Sequence, residues 1–387
     1  MQVKDFDNIR PYNEQEAKEA IQRIVKQHEF RTIVSFVFGE DQFEEISQRV
    51  LRAQTIEDFQ RHFMRPLVWQ IIKKTAEDLT VSGFKSLRPD TPHLFIGNHR
   101  DITLDSSILA TLLTDYDISL GITWGDNLMV SPFVTDLGKI NRMVTVFREG
   151  SPREMLLNSQ RLSAYLRKMI LEEQLCVWIA QRKGRAKNGD DRTDPGVLKM
   201  LALSGKGNLA EKLKPLNIRP VCVSYEWEPC DIQKVKELYI SSKTSYVKKE
   251  GEDLQSILGG VMGQKGHIHY AVGTPMNEEL EKISPDLPVN EQFQQLARQI
   301  DVEMFKNYRL WPGNYLAYDR LNHSNTFKNR YGADTEKTFD AKITRLLEKL
   351  SDLHGHEDEI IRLFLSLYAK PLENKLENGL SPDTPLR

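Results

Sequence analysis

Short apolar segments alternate with longer amphipathic ones through the middle of this chain, and this alternation is the feature that most constrains its fold. The strand-like segments lie at 93–97, 117–123, 143–147, 175–180, 219–227 and 267–273. Helical patterns lie between them, at 104–114, 151–172, 195–203 and 231–241. Such alternation is typical of an α/β protein with a largely parallel sheet. Some strand segments, such as CVWIA, are apolar at every position, which favours helices on both faces of the sheet.

Helical patterns flank this region on both sides. An apolar stripe at helical spacing is formed by Ala17, Ala20, Ile21 and Ile24. Thr55, with Asp58 three residues later, predicts the start of another helix. We therefore divide the chain into a helical N-terminal region (1–80), an α/β domain (81–275) and a helical C-terminal region (276–387). In the last region helices are expected at 289–308, 336–351 and 357–369, and the polar tail from 373 is expected to fray.

Composition excludes several classes of protein. The 387 residues carry a formal net charge of -2, so a globally basic nucleic-acid binder is not expected. The cysteines Cys176, Cys222 and Cys230 lie far apart without CxxC spacing, which argues against a disulfide framework or a zinc site. The N-terminus is too polar for a secretory signal, and no stretch reaches the roughly 18–20 apolar residues of a spanning helix. We expect a soluble or peripheral protein of a reducing compartment.

The densest group of polar residues follows the first predicted apolar strand, in the segment IGNHRDITLDSS. It contains Asn98, His99, Arg100, Asp101 and Asp105. Ligand sites of open α/β sheets lie at the carboxyl ends of strands, where this segment is placed. A histidine with a nearby carboxylate forms a general base, and no GxSxG nucleophile motif is present. The alternative is a polar turn in which Asn98 and Asp101 cap a helix and His99 has no function.

Two further groups follow predicted strands. The loop QRKGRAKNGDDRT contains Arg182, Lys183, Arg185, Lys187 and Arg192 around Gly184 and Gly189. Guanidinium groups bind phosphate in pairs of hydrogen bonds, and glycine lets the backbone approach a ligand, so this loop is a candidate phosphate site. A solvated, mobile loop is the alternative. Arg148 follows another strand directly, and Pro220 starts the strand RPVCVSY.

In order and spacing, these segments resemble the four motif blocks of the glycerolipid acyltransferase family, which includes glycerol-3-phosphate and lysophosphatidic acid acyltransferases. The matching segments are NHRDITLD, KINRMVTVFR, RKGR and RPVCVSYE. The preceding VSGFKSLRPDTPHLFIGNH resembles the lead-in of that family, a glycine-marked strand and turn before the apolar strand. The resemblance covers roughly residues 80–275.

The resemblance implies a role for each matching residue. His99 would be the general base that deprotonates a glycerol-type hydroxyl, and Asp105 would be its acidic partner. Arg148 and Arg185 would bind the phosphate of the acceptor, Gly184 would be the motif glycine, and Pro220 would help to shape the acyl-donor side. Asn98, Arg100, Asp101 and Lys183 complete the predicted substrate-binding set. No metal and no bound cofactor are expected, because the co-substrate would be acyl-CoA or an acyl-carrier protein.

Two departures from the family pattern keep alternatives open. Five residues separate His99 from Asp105 where the family has four, so Asp101 is a rival partner. Lys183 stands where the family has glutamate. A non-phosphate acceptor such as an amino-acid lipid is therefore one alternative, and a non-catalytic lipid-binding protein is another.

The expected location is cytoplasmic, at the inner face of the cell membrane, since a protein without a spanning helix has to reach its lipid as a peripheral protein. Two interpretations are open for Phe63, Leu67, Ile71 and Ile72, which face either a core or a bilayer surface, and their ordinary flanking charges favour the core. As a hypothesis, membrane contact is assigned to apolar and basic residues of the N-terminal helices: Phe63, Met64, Arg65, Trp69, Ile72, Lys73 and Lys74.

Overall fold

A mixed seven-stranded sheet forms the centre of the protein. The computed structural model describes residues 6–249 and 251–382. The strands are β1 (Ala76–Ser82), β2 (Leu94–Gly97), β3 (Leu120–Gly125), β4 (Met143–Val146), β5 (Cys176–Ala180), β6 (Ile218–Tyr225) and β7 (Gly266–Val272). Their order across the sheet is β1-β7-β6-β2-β5-β3-β4. All neighbours are parallel except β6 and β7, so β1 and β7 run opposite to the other five strands.

Helices surround the sheet and extend beyond it at both ends. Before β1 lie α1 (Glu14–Ile24), α2 (His28–Phe38), α3 (Phe43–Leu51), α4 (Ile56–Phe59) and α5 (Arg65–Thr75). Among the strands lie α6 (Leu104–Thr114), α7 (Pro132–Ile140), α8 (Pro152–Leu171), α9 (Pro195–Ala202), α10 (Leu209–Leu213), α11 (Asp231–Lys243) and α12 (Glu252–Met262). After β7 lie α13 (Asn277–Lys282), α14 (Val289–Asn307), α15 (Pro312–Leu321), α16 (Ala333–Lys349) and α17 (Glu357–Glu377). No helix in the described part of the chain has the length and apolar character that crossing a bilayer requires.

The two faces of the sheet pack against different helices. Successive strand residues point to opposite faces, so Phe95 and Trp178 join a core with the N-terminal helices and α6. Leu94 and Val177 join a second core with α8, α9 and α14. A third core around Phe339 holds α11 and α15–α17 together. The predicted fold class, an α/β sheet with helices on both faces and helical flanks, is confirmed. The exact limits of the three regions remain a prediction.

The cap and the apolar stripe predicted in the N-terminal helices are both present in the structure. Thr55 Oγ1 accepts a hydrogen bond from the backbone N–H of Asp58, whose carboxylate accepts one from the N–H of Thr55. This reciprocal cap starts α4, as the spacing predicts. The stripe of α1 formed by Ala17, Ala20, Ile21 and Ile24 is buried.

Other elements differ from the sequence prediction. β1 begins inside the segment expected to be helical (1–80) and ends at Ser82, before the glycine of the lead-in. Its half-exposed residues AEDLTVS give no apolar run because it is an edge strand. The polar, aromatic stretch 310–327 lies between the predicted helices, yet Pro312 begins α15 within it. The tail was expected to fray from 373, but α17 continues to Glu377 and buries Asn374 and Lys375. Residues 383–387 of that tail lie outside the described part.

Parallel strands bring the predicted site residues to one edge of the sheet. β2, β3, β4 and β5 run in the same direction, so their carboxyl ends meet there. His99 follows β2, Arg148 follows β4 and Lys183 follows β5. The fold therefore places three distant loops around one common space.

Candidate active site

His99 and Asp105 form a hydrogen-bonded pair at the carboxyl end of β2. The His99 Nδ1 lies 3.1 Å from the Asp105 Oδ2, and the imidazole is 12% exposed while the carboxylate is 1% exposed. Asp105 sits in the first turn of α6, where the helix N-terminus favours a negative charge. Asp105 is thus the acid that contacts His99.

Asp101, the rival acid, has a different position. Its Oδ1 accepts the backbone N–H groups of Thr103 and Leu104 and so caps the start of α6. Both alternatives left by the sequence, a histidine–carboxylate pair and a helix cap, occur side by side on different residues. The five-residue spacing between His99 and Asp105 accommodates this capping turn.

The hydrogen bonds of Asp105 define which His99 nitrogen is free. The Oδ2 accepts the backbone N–H of Arg100 at 2.6 Å and of Asp101 at 2.8 Å. The Oδ1 accepts the hydroxyl of Tyr225 at 2.9 Å. Because all these partners donate, the carboxylate is an acceptor and the His99 Nδ1 carries the proton of the shared bond. The His99 Nε2 is then left with a lone pair that can take a proton from a ligand.

Tyr225 was read from the sequence only as part of a core strand. Its position at the end of β6, next to β2 in the sheet, brings its hydroxyl to Asp105. Burial, together with the charge of Asp105, raises the pKa of Tyr225 well above its ordinary value, so the hydroxyl remains a donor. No local sequence pattern signals this contact, because the two residues are 120 positions apart.

Asp101 is enclosed against α12. Its side chain is fully buried, and burial, with the neighbouring Asp105, raises the pKa of Asp101. A Cβ on Gly260 of α12 would lie 1.9 Å from the Asp101 Oδ2. Only glycine lets α12 approach the turn this closely.

Arg100 points into the protein and joins a buried group of four charged side chains. Its Nη2 donates to the Asp191 Oδ2 at 2.6 Å, and its Nη1 donates to the Glu228 Oε2 at 3.1 Å. The Lys234 Nζ donates to the Glu228 Oε1 at 2.6 Å and to the Arg100 carbonyl at 2.7 Å. Two cations and two anions balance, so this buried quartet (Arg100, Asp191, Glu228 and Lys234) fixes the backbone whose N–H groups hold Asp105.

Asn98 ties the same turn to the sheet. Its Nδ2 donates to the Val223 carbonyl at 2.9 Å and to the Asp191 Oδ2 at 3.1 Å. Its Oδ1 accepts the Val223 N–H at 2.8 Å. The amide is therefore committed to β6 and to the buried quartet, and it orients the residue before His99.

His99 faces a large cavity of about 710 Å³. Polar residues of the His99 turn that line it are Thr103, Ser106 and Ser107. Most of the wall is apolar and comes from seven helices (α2, α5–α9 and α12) and from β3, β4 and β5. Representative residues are Ile33 and Phe36 of α2, Leu67 and Ile71 of α5, Leu137 of α7, Leu162 of α8, Met200 of α9, and Leu258 and Val261 of α12. Pockets of this size and character accommodate small apolar or amphiphilic ligands.

Cations line the same cavity. Arg148, Arg182 and Lys183 all contribute to its wall. Within residues 6–249 and 251–382, none of the three forms an ion pair, and only Arg182 has a hydrogen bond, to the Asp190 carbonyl. A Cβ on Gly125 would lie 2.3 Å from the Arg148 Nε, so glycine at this position makes room for the guanidinium. An anionic group in the cavity would meet unpaired positive charge.

Arg185, also predicted to bind phosphate, lies outside this lining. Its Nη2 donates to Ser256 Oγ on α12 at 3.1 Å, which links the basic loop to that helix. Gly184 precedes it with a φ of +74°, in the left-handed region that favours glycine.

Pro220 also lies away from the cavity. It is the third residue of β6, buried beside Ile96 of β2. The ladder with β7 begins only at Val221, and the Pro220 carbonyl accepts the N–H of Gly273. The missing N–H of proline therefore faces the end of β7, where no ladder bond is needed.

The helix expected to contact the membrane is largely internal. Phe63 and Ile72 are buried, which confirms the preferred interpretation of core packing and removes these two residues from the hypothetical membrane contact. Leu67 and Ile71 of α5 line the cavity instead. The cavity-lining residues of α2 and α12 were not recognised as functional, and α12 was not predicted as a helix.

The fold and the site together define an α/β protein with a histidine–carboxylate pair at an apolar, partly cationic cavity. Among the described residues, no group of His, Cys, Asp or Glu side chains has an arrangement that could hold a metal ion. No protein-family profile matches the chain, and no curated protein is similar to it in sequence.

One similar solved structure is the 1-acyl-sn-glycerophosphate acyltransferase of Thermotoga maritima. The two chains are 12% identical with a TM-score of 0.40, over 74% of this chain and 96% of the other. At that TM-score the likeness carries no argument about function.

Proposed function

We propose that this protein is an O-acyltransferase of glycerolipid synthesis, which transfers an acyl group from a thioester to the hydroxyl of a phosphate-bearing glycerol acceptor. The acceptor class is glycerol 3-phosphate or its 1-acyl derivative. The observation that carries the proposal is the His99–Asp105 pair facing a cavity with apolar walls and unpaired cations.

The chemistry follows from the free His99 Nε2. This nitrogen takes the proton of the acceptor hydroxyl while the oxygen attacks the thioester carbonyl carbon. The imidazolium that forms is stabilised by Asp105 through Nδ1. When the tetrahedral intermediate collapses, the carbon–sulfur bond breaks and the proton passes from Nε2 to the departing thiolate. The products are an ester and a free thiol.

The cavity suits both parts of such a substrate pair. Its apolar wall takes up an acyl chain, whose burial is favourable at about 0.8 kcal/mol for each methylene group. Arg148 and Lys183 provide unpaired positive charge for a phosphate. The thioester is already activated, so no covalent enzyme nucleophile is needed. The donor is a coenzyme A thioester or an acyl-carrier protein.

The test is an acyl-transfer assay with the purified full-length chain. Glycerol 3-phosphate, 1-acylglycerol 3-phosphate and an amino-acid lipid are each offered with both donor types in mixed micelles. We expect transfer to a phosphate-bearing acceptor. We also expect His99→Ala to lower kcat/KM by about 10²–10⁴-fold, because general-base catalysis is removed.

His62→Ala is the matched control, since this exposed histidine lies outside the cavity lining. If the acyl group were transferred only to the amino-acid lipid, that lipid and not a phosphate-bearing glycerol would be the acceptor. If His99→Ala retained full turnover, the proposed mechanism would be wrong. Lipid binding without turnover of any acceptor would identify a non-catalytic binder.

A further inference from the structure

An exposed apolar ridge borders the cavity and is unexplained by packing. Leu254, Leu258 and Met262 follow one another at intervals of four residues on α12, and they are 47%, 50% and 52% exposed. Phe36 of α2 is 50% exposed. Leu258, Met262 and Phe36 also line the cavity, so they stand where its wall meets solvent. We call these four residues the mouth ridge.

The two helices of the mouth ridge are joined through α5. The Gln264 side chain, just after α12, donates to the Lys74 carbonyl. The Lys74 Nζ in turn donates to the Phe36 carbonyl at 2.9 Å and lies 5.6 Å from the centre of the Phe36 ring. The α2 and α12 parts of the ridge therefore both adjoin the end of α5.

Charge beside the ridge favours an anionic partner. Lys73 and Lys74 are exposed at the end of α5, and neither forms an ion pair with another described residue. The acidic start of α12 is already neutralised in part, because Asp253 pairs with Lys248 at 2.5 Å. Inside the cavity, Arg148 and Lys183 add further unpaired positive charge.

We propose that the mouth ridge docks on the surface of an anionic phospholipid bilayer. Leucine, methionine and phenylalanine side chains enter the acyl boundary, while the lysines at the end of α5 contact the headgroups. This rests on the proposed function, since an amphiphilic substrate then passes from the bilayer into the cavity without crossing water. The docking surface is α12 with Phe36, and not the buried face of α5.

The test is flotation of the full chain with vesicles of phosphatidylglycerol and phosphatidylcholine at low salt. We expect the wild-type protein to float with the vesicles. Leu254→Gln and Phe36→Gln are expected to lower the binding constant by about tenfold each, since each removes one large inserted side chain. The two variants lie on different helices, so failure of one to fold leaves the other informative. Leu254 lies outside the cavity lining, and thermal unfolding checks that each variant is folded.

Leu376→Gln is the matched control, because Leu376 is 37% exposed on α17, outside the cavity lining. It should float as the wild type does. Vesicle binding that is absent, or that is unchanged in both ridge variants, overturns the proposal. Ridge-dependent capture of acyl-carrier protein without vesicle binding also overturns it and makes the ridge a protein-docking site. His99→Ala should still float, so a protein that docks but shows no acyl transfer would refute the proposed function alone.

Discussion

The carboxylate of Asp105 and the cations of the same cavity differ in how many partners the protein gives them. Asp105 receives hydrogen bonds from His99, two backbone N–H groups and Tyr225. The side chains of Arg148 and Lys183 donate no hydrogen bond to the described residues. Groups that move a proton need a fixed orientation, whereas groups that bind an anion have to remain available to it. The fold therefore fixes the position of Asp105, whereas it leaves Arg148 and Lys183 available to a ligand.

The largest expected effect is on catalysis, through Asp105, which holds His99 in place. Asp105→Asn replaces an acceptor by an amide that can donate, so the His99 tautomer is no longer defined. We expect kcat to fall by about 10²–10⁴-fold while KM changes little. Steady-state acyl transfer measures both constants. If KM rose while kcat stayed unchanged, Asp105 would act in substrate binding, as Arg148 and Lys183 are expected to do, and the difference between the two groups would disappear.

The next largest effect is on stability. Arg100→Met leaves the carboxylates of Asp191 and Glu228 buried with one cation fewer, which is expected to cost about 3–5 kcal/mol of unfolding free energy. Arg148→Met should stay within about 0.5 kcal/mol of wild type, because Arg148 has no partner to leave behind. Urea unfolding of the two variants compares them directly. Equal loss of unfolding free energy in the two variants would contradict the distinction between Arg100, which is held in buried ion pairs, and Arg148, which is unpaired.

A pH-dependent effect concerns the anchor of the basic loop. Asp301 of α14 accepts the N–H of Thr193, and burial raises the pKa of Asp301 to about 6. A raised carboxyl pKa means that the folded protein binds a proton the unfolded chain has lost. The contribution of Asp301 to stability is therefore fully present below about pH 4 and is lost as pH rises to about 6.

Asp301→Asn should remove this dependence. Relative to wild type, the variant should gain up to about 3 kcal/mol of stability between pH 4 and pH 6. Thermal or urea unfolding across that range is the measurement. A constant difference between the two proteins would show that Asp301 does not titrate in this window.

The smallest expected effect is on substrate binding by Arg148, an unpaired cation of the cavity. Arg148→Gln removes one charge-assisted contact to a phosphate, worth about 1.5–3 kcal/mol. We expect KM for a phosphate-bearing acceptor to rise about 10–100-fold with kcat little changed. The same variant should leave KM for an amino-acid lipid unaltered. An equal rise for both acceptors would mean that Arg148 does not recognise phosphate.

The sequence predicts the local part of this site well. A strand end followed by Asn98 and His99 identified the loop, and the limits predicted for α6 match those observed. These signals depend on neighbouring residues only. The grouping of His99 with Arg148 and Lys183 also followed, because parallel strands bring their carboxyl ends to one edge.

What the sequence did not predict depends on contacts between distant segments. Arg100 was assigned to substrate binding, yet its partners Asp191 and Glu228 lie about 90 and 130 positions away and hold it inside the protein. α12 was missed because Gly259 and Gly260 weaken a helical pattern. The structure supplies the reason for Gly260, since any side chain there would collide with Asp101.

The reversed direction of β7 has a consequence for how such a site can diversify. Because β6 ends and β7 begins at the same edge of the sheet, the connection at 226–265 emerges and returns beside the cavity. It carries α12 and part of the cavity wall, and it also supplies Glu228 and Lys234 of the buried quartet. Substitutions on the cavity face of α12 are therefore the route to a new ligand preference, because replacing the whole connection would also remove the charges that hold the turn of Asp105.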